Sequence, residues 1–469
     1  MSQFIAILKD SFREAMDAKV IYVLLGLSIL LMGVTATISY TPVEPNEAFT
    51  GILTRFNTVF PDRGRAKIPL GLPPAMTYSA TDLRTTTGGY SLRLEVKPGA
   101  GEFSFLGGGG GRQNLQGDAL RFAVVNWMKP PGPTRTFMLP ANGGAVPFEV
   151  AEPQDASPDE QAAVTDEQIQ EFIRNQFATH AGISEASVSR VKGIAEPAYA
   201  FDVDLKMSDA VRGWPHRIRL FFGALALPTP MPLGVVLWFI EEKIINGFGA
   251  TITLLIGVVI TGFFIPNMLR KGALDLIVTK PISRSALLVY KYLGGLSYMV
   301  ILTVATVGGI WLVLALRSGY WDPSFLLLIP ILTFTFAILY AFSTLVAVLT
   351  RSSIAAILLT CGFAFFLFVV GAIKVELDNF RADPKNKSEV NETFAAVMDG
   401  LHFVLPRYKD VDRLTTKLIS DATLTPLEQY AMAKTKADYP KWGETFGFSL
   451  GFIAVCLALS CWRFQTRDA

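Results

Sequence analysis

Long apolar runs are the feature that most constrains what this chain can fold into. Six stretches reach the roughly 20 predominantly apolar residues that a helix needs to cross a bilayer. They are residues 20–40, 246–268, 293–316, 324–349, 353–373 and 445–462. Their interiors contain no Asp, Glu, Lys or Arg, and one such charge at the bilayer centre costs about 2.5–3.5 kcal/mol. The sequence therefore predicts a polytopic α-helical membrane protein with six transmembrane helices.

The composition agrees with a membrane protein and excludes other classes. Of 469 residues, 51% are hydrophobic and only 17% are charged, which is too little charge to cover a soluble protein of this length. The net charge of +2 gives no basic field that would indicate nucleic-acid binding. Cys361, Cys456 and Cys461 lie in or beside apolar runs, so the polar stretches have no disulfide framework. This pattern favours a bacterial protein.

The positions of Lys and Arg in short loops predict the orientation of the spans. If the N-terminus is cytoplasmic, the cytoplasmic segments contain Lys9, Arg13, Lys19, Arg270, Lys271, Lys280, Arg284, Lys291, Arg351, Arg463 and Arg467. The short loop 317–323 on the opposite side contains Arg317 alone. We therefore expect a multi-pass protein of the bacterial inner (plasma) membrane, with both termini cytoplasmic and a cytoplasmic tail at 463–469.

Residues 1–19 have the pattern of an amphipathic helix. Phe4, Leu8, Phe12 and Met16 recur every fourth residue and form an apolar stripe, with the charged residues away from it. The stretch is too long and too acidic for the positive region of a signal peptide. It is predicted to be a cytoplasmic interfacial helix that leads into a retained first span.

Two long polar segments are predicted to lie on the extracytoplasmic side. Residues 41–245 have the composition of a large α+β domain between the first and second spans. Strands are predicted where apolar and polar residues alternate, in the segments "YSLRLEV", "RFAVVNWM", "AYAFDVDLKM" and "RIRLFFGAL". Thr165 is expected to cap a helix with Ile169, Phe172, Ile173 and Phe177 on one face. Residues 233–240 are interpreted as an interfacial lead-in to the second span, because Glu241, Glu242 and Lys243 interrupt the apolar run. The second segment, 374–444, is predicted to be partly helical, for example at "TPLEQYAMAKTKADY".

Signatures of catalysis are not found in the sequence. No Walker-type P-loop and no nucleophile elbow occur. His180, His216 and His402 are scattered, without Cys or carboxylates at ligand spacing. We therefore predict no catalytic, metal-binding or cofactor-binding residues. The spans also lack the ionisable groups that proton- or sodium-coupled carriers usually keep at mid-membrane, although sodium coupling through carbonyl groups alone stays open.

The segment 269–292, between the second and third spans, combines an apolar helical face with a break. Leu274, Ile277 and Val278 fall at i, i+3 and i+4. Pro281 ends this helix because it disfavours α conformation at Lys280, and Ser283 is placed to cap the next helix. An apolar face in the cytoplasm needs a covering partner, so we expect this segment to dock on another protein.

The stretch "KGALDLIVTKPISRSALLVYKYLG" resembles the signature of ABC-2-type ABC transporter permeases, and the six-span topology extends the resemblance over the membrane part. The resemblance implies one half of a twelve-span assembly that is driven by a separate ABC ATPase. ATP and Mg²⁺ would bind to that partner, and this chain would bind no cofactor. The second permease subunit would be identical or different. The residues implied to couple to the ATPase are Leu274, Asp275, Leu276, Ile277, Lys280, Pro281 and Arg284.

The resemblance further implies an export permease whose helices meet closely at the interface between the two halves. Small residues that would allow this contact are Gly294, Gly295, Gly308, Gly309 and Gly362. An alternative is a non-transporting membrane scaffold or mechanotransmission complex, whose extracytoplasmic domain binds an envelope protein. An ion-coupled secondary carrier is a third hypothesis.

Overall fold

The computed structural model describes residues 20–56, 76–98, 118–129, 134–141, 144–151, 156–178, 183–194, 198–207, 210–269, 283–382, 391–424, 429 and 439–466. Within these ranges, five helices are long and apolar enough to cross a membrane. They are α7 (Leu233–Met268), α8 (Arg284–Ser318), α9 (Pro323–Thr350), α10 (Ser353–Ala382) and α13 (Trp442–Thr466). Each contains one of the predicted spans.

The first predicted span is shorter in the structure. Helix α1 (Val20–Ala36) is apolar throughout, but it ends before residue 40 and falls below the length of the other five. Ser39–Pro42, whose first two residues were assigned to this span, form strand β1. The structure therefore supports five of the six predicted spans by length and composition.

Helix α7 begins earlier than the second predicted span. Residues 233–240, interpreted as a lead-in to this span, belong to the same helix, which runs on from Leu233 through Glu241 and Glu242. Their interfacial position stays a prediction. Leu233 and Leu237 are 0% and 2% exposed, so these turns pack inside the protein. The two carboxylates do not interrupt the helix, because their side chains are buried against neighbouring elements and not directed into lipid.

The N-terminal half forms an α+β domain with its own core. Strands β2 (Met76–Thr86), β3 (Gly89–Pro98), β6 (Ile183–Arg190) and β7 (Tyr199–Met207) form an antiparallel sheet in the order β2-β3-β7-β6. Side chains alternate along β7, with Phe201, Val203 and Leu205 buried between exposed Asp202 and Asp204. Helices α2 (Pro45–Arg55), α3 (Ala119–Met128) and α5 (Asp166–Ala178) contribute to the same core. Strands β4 (Thr134–Ala141) and β5 (Gly144–Ala151) form a separate hairpin, and α4 is Pro158–Ala162.

One predicted strand of this domain is a helix. The stretch "RFAVVNWM" belongs to α3, where the Asp118 side chain accepts hydrogen bonds from the backbone N–H groups of Leu120 and Arg121. Buried Leu120, Val124 and Trp127 follow helical spacing. The prediction was wrong because it read the β-branched run alone and did not include Leu120 and the Asp118 cap.

The helix predicted after Thr165 is confirmed. In α5 the Thr165 side chain accepts from the Gln168 N–H at 3.3 Å, and the Gln168 side chain accepts from the Thr165 N–H at 2.9 Å. This reciprocal capping box fixes the helix start. Ile169, Phe172, Ile173 and Phe177 are each 0% exposed, and they form the predicted core face.

A small sheet connects the α+β domain to the apolar helices. Strand β8 (Pro215–Leu220) pairs antiparallel with β1, with β10 (Met231–Pro232) and with β9 (Leu225–Ala226). Helix α6 (Ala210–Gly213) precedes β8, and "RIRLFFGAL" is a strand only as far as Leu220, where a 3-10 turn begins. Arg317, near the end of α8, donates hydrogen bonds to the Ile38 carbonyl oxygen at 3.1 Å and to Ser39 Oγ at 3.0 Å. The sheet is therefore held against α8 by polar contacts.

Helix α9 lies at the centre of the apolar bundle. It packs against α7, α8, α10 and α13, and Phe336 and Tyr340 are both 0% exposed. Gly295 on α8 allows the close approach of Tyr340, since a Cβ there would lie 2.4 Å from the Tyr340 ring. Gly309 likewise faces Met32 of α1. The resemblance implied that these glycines lie at an interface between two permease halves. The space beside Gly295 and Gly309 is instead occupied by side chains of this same chain, whereas the space beside Gly308 and Gly362 is open.

Two further helices fold back along α10. Helix α11 (Glu392–Val404) and helix α12 (Tyr408–Thr423) both pack against it. Arg381 Nη2 and Lys374 Nζ each lie 3.0 Å from a carboxylate oxygen of Asp399. A Cβ at Gly371 would lie 2.3 Å from Lys409 Cβ, so α12 starts in direct contact with α10. The predicted helix within 425–439 lies outside the described residues, apart from Gln429 and Tyr439.

Candidate functional site

Most of the predicted coupling residues lie outside the described part of the chain. These are Leu274, Asp275, Leu276, Ile277, Lys280 and Pro281, together with Phe4, Leu8, Phe12 and Met16 of the amphipathic helix. Arg284 is described and is the first residue of α8. The predicted cap is confirmed, because the Ser283 side chain accepts a hydrogen bond from the Ala286 N–H at 3.2 Å. The helix after the Pro break therefore starts where the sequence predicts it.

The described helices contain an irregular, polar segment that the sequence reading did not single out as a site. Residues Phe239–Gly249 of α7 are a π-helix, a geometry that is rare and often occurs at functional sites. Glu241, Glu242 and Asn246 within it are 8%, 7% and 7% exposed. Burial of three polar side chains so close together costs free energy unless they form hydrogen bonds or ion pairs.

Glu242 finds its partners on two helices. Its carboxylate accepts from Thr416 Oγ1 of α12 at 2.9 Å and from Asn246 Nδ2 at 3.2 Å. Lys243 Nζ lies 3.5 Å away. The hydrogen bond from Thr416 connects the π-helical segment to α12, and both hydrogen bonds offset the cost of burying the Glu242 carboxyl group.

A cavity of about 180 Å³ opens beside this network. It lies between α7, α9, α10 and α12, and both apolar and polar side chains line it. The polar ones are Asn246, Thr251, Thr335, Tyr408, Lys409, Asp412 and Thr415. At this size the cavity accommodates a small polar group in addition to water.

The charged groups of the cavity come from the first turn of α12. Lys409 and Asp412 form an ion pair, and the Lys409 ammonium also lies 5.3 Å from the centre of the Phe368 ring. Burial raises the pKa of Tyr408 to about 12, and the nearby Asp412 carboxylate adds to the rise. The Tyr408 phenol is therefore neutral and can both donate and accept a hydrogen bond.

A second polar network holds the turn between α11 and α12. His402 Nε2 lies 3.0 Å from Asp410 Oδ2, and the Arg407 guanidinium approaches the same carboxylate at 3.9 Å. Arg407 also stacks on the Phe448 ring of α13 at 4.3 Å. These contacts fix the beginning of α12, and with it the orientation of Lys409 and Asp412.

One signal in the sequence could have located this site. Glu241, Glu242 and Lys243 interrupt an otherwise apolar run, and ionisable residues beside a span mark functional positions more often than chance. The contribution of α12 could not have been found in this way, because its residues are more than 150 positions away and only the fold brings them together. Among the described residues no group of three or more His, Cys, Asp or Glu side chains could hold a metal ion.

Comparison with known proteins identifies the family. The family model described as ABC-2 family transporter protein matches residues 148–469. No curated protein and no solved structure gives a significant match. The matched region is more than half of the chain, and it includes all five candidate spanning helices and the cavity between them. From the signature that runs into the start of α8, the five apolar helices and this match, we conclude that the chain belongs to the ABC-2 family of transporter proteins.

Proposed function

We propose that this chain is the permease subunit of an ABC exporter, driven by a separate ATPase subunit. The observation that carries the proposal is the family match over residues 148–469, because members of this family associate with an ABC ATPase and a membrane. The sequence adds the absence of a P-loop, which is consistent with ATP hydrolysis on another polypeptide. The chain would then act without catalytic residues of its own.

Force would enter the permease at two cytoplasmic elements. The first is the segment from Leu274 to Arg284, whose apolar face would dock on the ATPase. The second is the amphipathic helix with Phe4, Leu8, Phe12 and Met16. When two ATPase subunits close on ATP, they would press on these elements and the spans would move as rigid rods. Helix α8 starts one residue after Ser283, so movement of the docking segment would pass directly into it.

The arrangement proposed in the cell follows the distribution of charge. Both termini lie in the cytoplasm of a bacterium, the α+β domain lies outside the inner membrane, and a second permease subunit completes the path. Transport follows the interface between the two permease subunits. Export is the proposed direction because the resemblance to ABC-2-type permeases implies it.

The docking segment is tested by replacing its apolar residues. We expect Leu274→Asp together with Ile277→Asp to abolish co-purification of the ATPase with the tagged permease, because two carboxylates in a covered apolar contact cost several kcal/mol of binding. The measurement is the amount of ATPase, and the ATP hydrolysis, recovered with the permease from membranes of the native host.

A matched control makes the same change away from the docking segment, at one residue of the α+β domain and one of the connecting sheet. Ile194 and Leu225 are 40% and 52% exposed, and Ile194→Asp with Leu225→Asp should leave the recovered ATPase unchanged. If the Leu274 and Ile277 variant recovers as much ATPase as the wild type, the coupling assignment is wrong. If no ATPase accompanies the wild-type protein, the proposed function itself fails.

A further inference from the structure

We propose that the cavity between α7, α9, α10 and α12 binds the headgroup of a zwitterionic phospholipid that carries a primary ammonium group. This binding concerns a lipid of the surrounding bilayer, and it requires neither nucleotide nor the ATPase. The inference rests on where the cavity opens, on the charges that line it and on the acceptor atoms directed into it.

The cavity opens towards the lipid-facing surface of the helices. Thr251 lines it and is exposed, and Leu255 and Val259 continue from Thr251 along the same face of α7 with 39% and 38% of their surface exposed. Phe368 of α10 lines the cavity and is 49% exposed. Exposed apolar side chains on a spanning helix contact acyl chains. With its headgroup in the cavity, a phospholipid could therefore place its acyl chains against the exposed apolar side chains of α7 and α10.

The depth of the cavity suits a headgroup. Asn246 begins the second predicted span, and Phe368 lies near the end of the fifth. Because consecutive spans run in opposite directions, these two positions are close to the same face of the membrane. Trp238 lies two turns before Asn246, beyond the predicted start of that span, and its Nε1 donates a hydrogen bond to Ser420 Oγ at 3.1 Å. Trp is typical of the headgroup region.

The charges match a headgroup that carries both signs. Lys409 offers an ammonium for a phosphate, and Asp412 offers a carboxylate for a cation, with 25% and 36% of their side chains exposed. A purely anionic headgroup would meet the Asp412 carboxylate, and among the described residues that line the cavity Lys409 alone carries a positive charge. A zwitterion satisfies both members of the pair.

The remaining polar atoms favour a headgroup with N–H donors. The hydroxyls of Thr251, Thr335 and Thr415 donate to carbonyl oxygens of their own helices at 2.7, 2.9 and 2.8 Å. Their oxygens therefore offer only acceptor capacity to a ligand. Asn246 donates its amide to Glu242, and its side-chain oxygen accepts from no group in the described part of the chain. A primary ammonium has three donors for such a surface, whereas a choline group has none.

Lipid binding is tested on the full-length permease, purified in detergent and washed free of lipid. Phosphatidylethanolamine, phosphatidylcholine and phosphatidylglycerol with the same acyl chains are titrated separately, and native mass spectrometry counts bound lipids. We expect a retained phosphatidylethanolamine adduct on the wild type. Lys409→Met with Asp412→Asn should weaken its apparent affinity about a hundredfold, since each of the two lost charge-assisted hydrogen bonds accounts for about one factor of ten.

Control variants separate loss of the site from loss of the fold. Lys417 and Asp421 form an ion pair at 3.8 Å on the same helix, with 45% and 54% of their side chains exposed, and Lys417→Met with Asp421→Asn should bind as the wild type does. Thr251→Phe should block the opening and reduce binding while it leaves the Lys409–Asp412 pair intact. Equal binding of phosphatidylcholine or phosphatidylglycerol would overturn the proposal, as would unchanged binding in both cavity variants.

Discussion

His216 is a titratable residue that the structure places in a buried position of the small connecting sheet. It is 6% exposed and lies on β8 between Pro42 of β1 and Met231 of β10. Its Nδ1 lies 2.8 Å from the Trp214 carbonyl oxygen, so this nitrogen carries the hydrogen and donates it. Burial lowers the pKa of His216 below its ordinary value of 6.5, and the hydrogen bond to Trp214 opposes this change only in part.

The direction of this shift predicts a loss of stability on acidification. The folded state holds His216 neutral at pH values where the unfolded chain already binds a proton, so unfolding takes up a proton and stability falls as the pH falls through 6.5. We expect the apparent melting temperature of the wild type to decrease from about pH 8 to about pH 5 more steeply than that of His216→Gln. The Gln amide can keep a donor to Trp214. Parallel slopes for the two proteins would show that His216 does not contribute.

Helix α8 contacts helix α9 at Gly295. Any larger residue at this position would require the Tyr340 side chain or one of the two helices to move. Tyr340 stacks between Tyr292 and Phe336, with ring centroids 5.1 and 5.4 Å away. The Tyr292 hydroxyl donates to the Ala337 carbonyl oxygen at 2.9 Å. A Cβ at Gly295 would lie 2.4 to 2.7 Å from three atoms of Tyr340. The Tyr340 side chain is fully buried and packs against the Tyr292 and Phe336 rings, so it has little space to move away from a new methyl group.

We expect Gly295→Ala to destabilise the protein by about 1–3 kcal/mol, the usual cost of overpacking a filled core. The measurement is thermal unfolding of the purified permease in detergent. Gly447→Ala on α13 is the matched control, since nothing lies within 4 Å of a Cβ there, and removal of a helical glycine should be neutral or stabilising by up to about 1 kcal/mol. Equal effects of the two substitutions would mean that α8 and α9 pack less closely than described.

The helices differ in how far the sequence determines them. Continuous apolar runs identify α8, α9, α10 and α13, and local capping residues identify α5 and the start of α8, because in these cases the signal lies within the element itself. The α3 helix was missed because its cap precedes the apolar run that was read. The start of α7 was missed because Glu242 is satisfied by Thr416 of α12, a contact between residues that are distant in sequence. The cavity was missed for the same reason.

The topology of the whole molecule can be derived from the number of candidate spans between two points of the chain. Among the residues that the structure describes, five candidate spans lie between the α+β domain and Thr466, namely α7, α8, α9, α10 and α13. Helices α11 and α12 add no crossing, because Asp399 binds Lys374 and Arg381 near the end of α10 and the chain folds back along that helix. We predict that all five cross the membrane, and this odd number would place the domain and the C-terminus on opposite sides. The positive-inside distribution of Lys and Arg then predicts that the C-terminus is cytoplasmic.

Cysteine labelling in intact cells tests this topology directly. In a variant with Cys361, Cys456 and Cys461 replaced by Ala, we introduce one Cys at Ser187 or at Thr466, both exposed in the structure. A membrane-impermeant maleimide should label Ser187→Cys in cells whose inner membrane is intact, and Thr466→Cys only after that membrane is permeabilised. Labelling of both sites from the same side would require an even number of crossings, and one of the five apolar helices would then have to lie outside the bilayer. The reverse pattern would keep the five crossings and invert the orientation, so the segment from Leu274 to Ile277 could no longer meet a cytoplasmic ATPase.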